Sequence, residues 1–90
     1  MRNEEGNRYY KKGQVGKAQS AYSKALKADP ASRPIAFNLG NTYYKEEDYG
    51  RSAELYQKAA AEEKDVSLKT RALYNLGNSL AQRRQTGKAV

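Results

Sequence analysis

The strongest constraint on the fold is a segment that occurs twice, one repeat period apart. Residues 6–11 are Gly-Asn-Arg-Tyr-Tyr-Lys, and residues 40–45 are Gly-Asn-Thr-Tyr-Tyr-Lys, an offset of 40 minus 6, or 34. In this register, nine of the 25 pairs from 6/40 to 30/64 are identical. A third copy around Tyr74 matches the segment around Phe37, but its offset is 74 minus 37, or 37. A fixed period of this length predicts stacked helical or mixed units that share one continuous core.

Each unit has the periodicity of two amphipathic helices, because its apolar residues recur at steps of three and four. In the second unit these residues are Ala36, Leu39 and Tyr43, followed by Ala53, Tyr56 and Ala60. Helix breaks fall at 13–16, 47–50 and 85–87, and Pro30 and Pro34 lie between the first two units. The sequence therefore predicts an all-α superhelix of antiparallel helix pairs. Its five helices should lie at about 2–12, 17–28, 33–46, 51–64 and 66–84.

The repeat divides the chain into three units, at 1–32, 33–65 and 66–90. The first unit starts late in the pattern and the third stops where a sixth helix should begin, so we expect both to be truncated. The three residues added before the third copy should lengthen the fifth helix by about one turn, with Asp65 as its N-cap. The apolar side of Leu73, Leu76 and Leu80 would then lack a cover. Two hypotheses follow: the chain is part of a longer array, or this face drives self-association.

Small residues alternate with large ones at the repeated positions. A glycine inside a helix costs about 1 kcal/mol relative to alanine, so Gly6, Gly40 and Gly77 should each allow the partner helix to approach closely. The other small residues at such positions are Ala18, Ala25, Ala59 and Ala89. The large residues that should fill the space between helices are Tyr9, Tyr22, Tyr43, Tyr56 and Leu80.

The composition removes most of the chemistry that enzymes use. There is no Cys and no His, which excludes thiol nucleophiles, imidazole bases, disulfides and Cys/His zinc sites. We therefore expect no enzyme activity, no cofactor, no metal and no small-molecule substrate. The net charge of +7 comes from Lys and Arg spread along the chain, a distribution typical of solvated helix faces.

The repeated residues resemble the tetratricopeptide repeat (TPR), a helix pair with Leu-Gly and a large residue in its first helix, then Ala, an aromatic residue, Ala and Pro. The second unit matches at Leu39, Gly40, Tyr43, Tyr56 and Ala59, with Ser52 where Ala is usual. The first unit matches at Gly6, Tyr9, Ala18, Tyr22, Ala25 and Pro30, with Glu5 in place of Leu, and the third at Leu76, Gly77, Leu80 and Ala89. The resemblance covers nearly the whole chain and implies a scaffold that binds other proteins. Pentatricopeptide RNA-binding proteins have a similar period but lack this set of positions.

Three longer stretches, at 5–13, 36–44 and 71–80, are similar to the TPR proteins of bacterial aerotolerance (Bat) operons. The longer linker before the third stretch adds to the similarity. TPR proteins of that family are exported or membrane-associated and work with von Willebrand A-domain proteins. The resemblance implies a periplasmic or membrane-associated bacterial scaffold, with a cytoplasmic location as the alternative.

In a TPR superhelix the first helix of each pair lines the inner surface, which forms a groove. The register places at this surface Asn7, Tyr10, Lys11, Phe37, Asn38, Asn41, Tyr44, Lys45, Arg71, Tyr74, Asn75 and Asn78, with Asn3 and Gln82 at its ends. Asn amides can hold a peptide backbone, and aromatic rings supply contact area. The cations Lys11, Lys45 and Arg71 favour an acidic segment or a C-terminal carboxylate. The expected ligand is an extended, acidic segment of a partner protein.

These residues also have other interpretations. Asn at such positions belongs to the repeat consensus and need not form a specific site. Chaperone-binding TPR proteins hold two carboxylates with two Asn and several basic residues, and Asn7, Asn38 and Arg71 match that clamp. Asn3 and Asn75 stand where the clamp has basic residues, so the match is incomplete.

The basic charge leaves nucleic-acid binding as the alternative function. Its only cluster, Arg83, Arg84 and Lys88, is more typical of a solvated helix end. The acidic run Glu46–Asp48 lacks any His or metal-ligand spacing, so we expect an exposed turn there.

Overall fold

Five α-helices form the part of the chain that the computed structural model describes, namely the backbone of residues 2–87 and the side chains of residues 3–85. They are α1 (Arg2–Lys11), α2 (Val15–Ala28), α3 (Arg33–Lys45), α4 (Tyr49–Ala60) and α5 (Val66–Gly87). Each helix packs against the next along the chain, and α3 also contacts α1 and α5. The all-α helical repeat is thus confirmed. Lys88 and Ala89, which the pattern assigns to a sixth helix, lie outside the described residues.

The turns inside the first two units have the same geometry. Gly13 and Glu47, which hold the same position in the repeat, both adopt a positive φ, 78° and 63°. In both turns the N–H of the following residue donates to the carbonyl five residues back, at 2.9 Å. A left-handed residue at a helix end satisfies open carbonyls and reverses the chain. The acidic run around Glu47 is therefore a turn, and α2 and α4 begin two residues earlier than predicted.

The three residues added before the third unit mainly extend α5, as predicted. Helix α5 begins about three turns before Gly77, whereas α3 begins about two turns before Gly40. The carboxylate of Asp65 accepts the backbone N–H groups of Ser67 and Leu68 at 3.0 and 3.2 Å, so Asp65 is the N-cap. The linker between α4 and α5 is one residue longer than the linker between α2 and α3, and α4 is two residues shorter than α2.

Two predicted helix ends are wrong. Helix α4 was expected to reach residue 64 but ends at Ala60, because Glu62 has a φ of 53° that a right-handed helix cannot contain. A break was expected at 85–87, but α5 continues to Gly87. The residue equivalent to Gly13 and Glu47 is Arg84, and a left-handed residue other than Gly costs about 1–2 kcal/mol. In the described part of the chain no helix follows α5 to offset that cost by packing.

The core consists of two apolar clusters that meet at α2 and α4. The first contains Ala18, Tyr22 and Leu39, and the second contains Ala36, Phe37, Tyr56, Ala59, Ala60, Leu68 and Ala72. Leu26 and Leu55 pack against both clusters, so the core is continuous from α1 to α5. Within the described helices, none is long and apolar enough to cross a membrane.

The glycines of the first two units make room for a tyrosine ring. A Cβ atom at Gly40 would lie 3.0 Å from the ring of Tyr56, and one at Gly6 would overlap the ring of Tyr22. The close helix approach predicted at these two positions is confirmed. At Gly77 the prediction is wrong, since no described atom lies within 4 Å of a Cβ built there.

A buried serine pair explains why the second unit departs from the TPR pattern. Ser52, where Ala is usual, and Ser79 are both fully buried. Their hydroxyls hydrogen-bond at 2.8 Å, and Ser52 also donates to the carbonyl of Tyr49 at 3.1 Å. A buried hydroxyl is costly unless it has a partner, and the bond between the two serines gives Ser79 a partner across α4 and α5.

The outer face of α5 has two large apolar side chains in solvent. Leu73 and Leu80 are 49% and 48% exposed, as the sequence predicted. Leu76 was expected to share this face, but it packs against the second core cluster. The exposed face is therefore narrower than the sequence suggested and centres on Gly77, between the two leucines.

Candidate functional site

The first helices of the three units, α1, α3 and α5, lie side by side, and two depressions form on the surface that they share. The N-terminal cup is lined by Asn7, Tyr10, Lys11, Tyr22, Asn38 and Asn41. The C-terminal cup is lined by Tyr10, Asn41, Tyr44, Lys45, Tyr56, Asn75 and Asn78. Their volumes are about 180 and 280 Å³. Small-molecule sites usually occupy roughly 300–1,000 Å³, so each cup has room for a side chain rather than a drug-sized ligand.

The two cups are copies of one another, related by the sequence repeat. The residues of the second unit that correspond to Asn7, Tyr10, Lys11 and Tyr22 all line the C-terminal cup. They are Asn41, Tyr44, Lys45 and Tyr56. In the same way, the residues of the third unit that correspond to Asn38 and Asn41 are Asn75 and Asn78, which also line the C-terminal cup. Every residue that lines the N-terminal cup therefore has its counterpart in the other cup, and the two cups share Tyr10 and Asn41 as a common wall.

A buried tyrosine orients one asparagine in each cup. The hydroxyl of Tyr22 donates to Oδ1 of Asn7, and the hydroxyl of Tyr56 donates to Oδ1 of Asn41 at 2.5 Å. Within the described residues, the Nδ2 amino groups of these two asparagines make no hydrogen bond. An amide whose oxygen is already engaged offers its N–H donors to a ligand. Asn7 and Asn41 thus have a structural role in the repeat and also present donors to the groove.

A second asparagine lies on the neighbouring first helix in each cup. In the N-terminal cup, Nδ2 of Asn38 donates to Oδ1 of Asn3 at 3.0 Å and to Oδ1 of Asn7 at 3.4 Å. In the C-terminal cup, the equivalent Asn75 lies beside the hydroxyl of Tyr56 and lowers the pKa of that hydroxyl. The Asn38 bonds join α1 to α3 in the N-terminal cup, and in the C-terminal cup Asn75 of α5 faces Tyr56 of α4.

The two buried tyrosines stay protonated near neutral pH. Burial is the main reason that the pKa of Tyr56 is raised, and the neighbouring Tyr10 and Tyr44 raise it further, although the hydrogen bond with Asn75 lowers it. Burial and the neighbouring Tyr10 likewise raise the pKa of Tyr22. Both hydroxyls therefore remain hydrogen-bond donors that hold the asparagines in place.

Positive charge without matching negative charge surrounds the cups. Lys11 and Lys45 are exposed at the cup edges, and in the described part of the chain neither ammonium group makes an ion pair or hydrogen bond. No Asp or Glu lines either cup. The sequences of α3 and α5 contain no acidic residue at all. The surface therefore combines cations, amide donors and phenol hydroxyls.

Five of the predicted groove residues lie outside both cups, namely Phe37, Arg71, Tyr74 and the two end residues Asn3 and Gln82. Phe37 was expected to supply contact area but is only 5% exposed, because it packs against Tyr56 with the ring centroids 5.6 Å apart. The guanidinium of Arg71 lies over the Phe37 ring, 4.9 Å from its centroid. Tyr74 holds the same repeat position as Phe37 but is 70% exposed, since no described helix covers it.

The sequence interpretation treated Tyr22 and Tyr56 as space-filling residues and missed that they line the cups. The available signal was a constant spacing from Asn to Tyr, seen in 7–22 and again in 41–56. It places the Tyr on the second helix opposite the Asn on the first.

Stacked helix pairs with repeat-related polar cups along their first helices define a helical-repeat solenoid, a class of fold that presents an extended surface. A family model described as tetratricopeptide repeat matches residues 3–66 and 37–90, so the chain belongs to the TPR family. TPR units generally mediate protein–protein interactions, and the family is typically a non-catalytic scaffold. A comparison with curated proteins found no match.

Proposed function

We propose that the chain binds an extended, acidic segment of a partner protein along the surface formed by α1, α3 and α5. The observation that carries the proposal is the pair of cups, whose edges hold Lys11 and Lys45 and whose walls contain no carboxylate. An acidic segment matches this surface in charge, and its carbonyl and carboxylate oxygens match the asparagine and tyrosine donors.

The size of the cups supports a peptide over a compact ligand. Each accepts about one side chain, and the two lie in a row across three helices, as an elongated ligand requires. Arg71, which is exposed beyond the cups, extends the positive surface onto α5. An extended chain would therefore meet cations from all three units.

The test is a triple substitution of the groove cations, Lys11→Gln, Lys45→Gln and Arg71→Gln. A partner captured from the native source should bind this variant about tenfold more weakly, because three exposed charge pairs at about 0.5 kcal/mol each contribute about 1.5 kcal/mol. The matched control removes three exposed lysines elsewhere, Lys58, Lys64 and Lys69, and should bind normally. Circular dichroism should show equal helicity for both variants. Unchanged binding of the groove variant would refute the assignment.

Nucleic-acid binding is the alternative that the net charge of +7 suggests. It predicts affinity for oligonucleotides that falls steeply with salt, because bound phosphates release counterions. Anisotropy titrations of a single-stranded and a duplex oligonucleotide at low salt distinguish the two functions. Absence of binding at low salt would dispose of the alternative.

A narrower proposal concerns the identity of the partner. The similarity of 5–13, 36–44 and 71–80 to Bat-operon TPR proteins supports a von Willebrand A-domain partner in a bacterial aerotolerance complex, exported or membrane-associated. A purified von Willebrand A-domain protein encoded next to this chain should bind it in a pull-down, and the groove variant should reduce that binding. Failure of the wild-type chain to bind would remove this partner without affecting the groove proposal.

A separate proposal is self-association through the outer face of α5. It is supported by the exposure of Leu73 and Leu80 and by the open space at Gly77. Light scattering over a concentration series should show a rising mass, and Leu73→Lys with Leu80→Lys should abolish the rise. The control Val66→Lys changes an exposed apolar residue at the start of α5 and should leave the rise intact. A strictly monomeric wild-type chain at high concentration would contradict the proposal.

A further inference from the structure

Because the two cups are copies set one repeat apart, the spacing of chemical groups in the ligand can be inferred. We propose that the groove selects a segment in polyproline II conformation with acidic side chains at positions i and i+3, one carboxylate in each cup. This proposal rests on the groove-binding function proposed above and specifies the sequence that the groove recognises.

Each cup is suited to a carboxylate side chain. In the N-terminal cup, the ammonium of Lys11, the Nδ2 group of Asn7 and the hydroxyl of Tyr10 are donors with no hydrogen bond among the described residues. The C-terminal cup has Lys45, Asn41 and Tyr44 in the same places. A carboxylate accepts hydrogen bonds only, through two oxygens, and so complements a site made of donors.

The presence of two equivalent cups favours side-chain carboxylates over a chain terminus. A C-terminal carboxylate occurs once in a peptide and could fill one cup only. Two acidic side chains on one segment fill both, and the shared wall of Tyr10 and Asn41 keeps the two sites adjacent.

The distance between the cups determines the spacing of the two acidic residues. The helices α1 and α3 are in contact, as are α3 and α5, and packed helices lie about 8–10 Å apart. A polyproline II segment advances about 3.1 Å per residue with three residues per turn. Residues i and i+3 therefore lie about 9 Å apart on the same side of the segment, which matches one step between first helices.

A regular β-strand does not meet this requirement. Its side chains alternate between two faces, so residues i and i+3 point in opposite directions. Residues i and i+2 share a face but lie only about 7 Å apart. The step between cups thus favours the threefold polyproline II spacing.

The test uses short fluorescent peptides with blocked ends and the chain of 90 residues. The peptide with Asp-Pro-Pro-Asp should bind about tenfold more tightly than peptides with Asp-Pro-Asp, Asp-Pro-Pro-Pro-Asp or Asn-Pro-Pro-Asn, measured by fluorescence anisotropy. Lys11→Gln and Lys45→Gln should each weaken Asp-Pro-Pro-Asp about fivefold, the upper range for an exposed charge pair. The double variant should lose the preference for spacing, whereas the control Lys58→Gln with Lys64→Gln should retain it.

The outcomes separate this inference from the function on which it rests. Equal affinity for all three acidic peptides, with loss of binding in the lysine variants, would overturn the spacing rule and leave acidic-segment binding in place. Lysine variants that bind like the wild type would show that the peptides bind outside the cups and would overturn the inference. No binding of any peptide up to about 1 mM, a free energy of about −4 kcal/mol, would overturn the spacing rule, while the triple groove variant with a captured partner tests acidic-segment binding separately.

Discussion

The side chain of Tyr56 belongs both to the packed core and to the surface of the groove. Its ring lies against Gly40, where a Cβ atom would come within 3.0 Å, and its hydroxyl donates to Asn41. The ring supplies buried apolar area, and the hydroxyl finds a polar partner at the groove surface. Because one rigid ring joins these contacts, the spacing of the three residues is fixed, and it recurs as Gly6, Asn7 and Tyr22.

Alanine substitutions at equivalent glycines should have opposite effects on stability. Gly40→Ala should lower the free energy of unfolding by about 1 kcal/mol, because the strain of overpacking against the buried Tyr56 ring exceeds the gain in helix propensity. Gly77→Ala should raise it by about 1 kcal/mol, because no described atom lies near the new methyl group. Urea unfolding followed by circular dichroism measures both. A loss of stability in Gly77→Ala would show that another group occupies that space.

Buried tyrosine hydroxyls should make the fold sensitive to alkaline pH. Burial raises the pKa of Tyr56 and Tyr22 above the ordinary value of 10.0, so above pH 10 the unfolded chain loses these protons before the folded chain does. Their contribution to stability is therefore complete below pH 10 and is lost as pH rises beyond it. Urea unfolding between pH 8 and about 11.5 should show a flat region followed by a decrease.

The variant Tyr56→Phe tests this origin of the pH dependence. It should be less stable at neutral pH, because Asn41 loses its partner, but its stability should decrease less steeply above pH 10. Tyr74→Phe is the control, since that side chain is 70% exposed and its removal should leave the wild-type slope unchanged. If the free energy of unfolding falls with the same slope above pH 10 in the wild type, Tyr56→Phe and Tyr74→Phe, the pH dependence does not come from Tyr56.

The extra turn of α5 is stabilised by a cap at its N-terminus and by packing of one face against the core. Asp65 caps its first backbone N–H groups, and Leu68, which is 8% exposed, joins the second core cluster. The added residues therefore pack rather than form a loop, and Arg71, in the next turns of the same helix, lies over the ring of Phe37. The longer step between units thus adds a capped and packed turn to the first helix of the third unit.

Loss of the α5 cap should destabilise the third unit. Asp65→Ala leaves two N–H groups of the first turn without their acceptor and should lower the free energy of unfolding by about 1 kcal/mol. The neighbouring exposed substitution Lys64→Ala is the control and should change it by less than about 0.5 kcal/mol. Thermal and urea unfolding measure both variants. Equal stabilities would mean that water replaces the cap at no cost.

At the scale of the whole molecule, contacts between helices are limited to near neighbours. Each helix packs against the next one, and only the first helices add contacts across units. In such a solenoid, stability is approximately the sum of the units and their interfaces. Among the described helices, the central pair α3 and α4 has neighbours on both sides, whereas α1 and α5 each have one side without a neighbouring helix.

Amide hydrogen exchange should therefore be uneven along the chain. Amides in α3 and α4 should exchange only through global unfolding, and those in α1 and in the C-terminal half of α5 should exchange through local opening at least tenfold faster. Mass spectrometry of exchanged peptides under native conditions measures the difference. Uniform protection across all five helices would show that the array opens as a single unit.

Much of the fold could be predicted from local sequence patterns, because these patterns recur in each repeat. Periodicity gave the five helices, and the Asp65 cap was predicted from one residue next to an apolar run. The ends of α4 and α5 were mispredicted because they depend on the backbone at Glu62 and on packing beyond Arg84. The partner of Ser52 was not foreseen, because Ser79 lies on a different helix in another unit.

The sequence alone determined the helical repeat, the family and the row of Asn, Tyr and Lys positions, because these features recur at a constant spacing. Which members of that row are exposed and which are buried depends on the packing of the helices. This packing buried Phe37 beneath Arg71, exposed the equivalent Tyr74, and placed the Tyr22 and Tyr56 hydroxyls in the two cups. The physical reason is that exposure depends on whether a neighbouring helix covers a position, and equivalent residues in a finite stack have different neighbours.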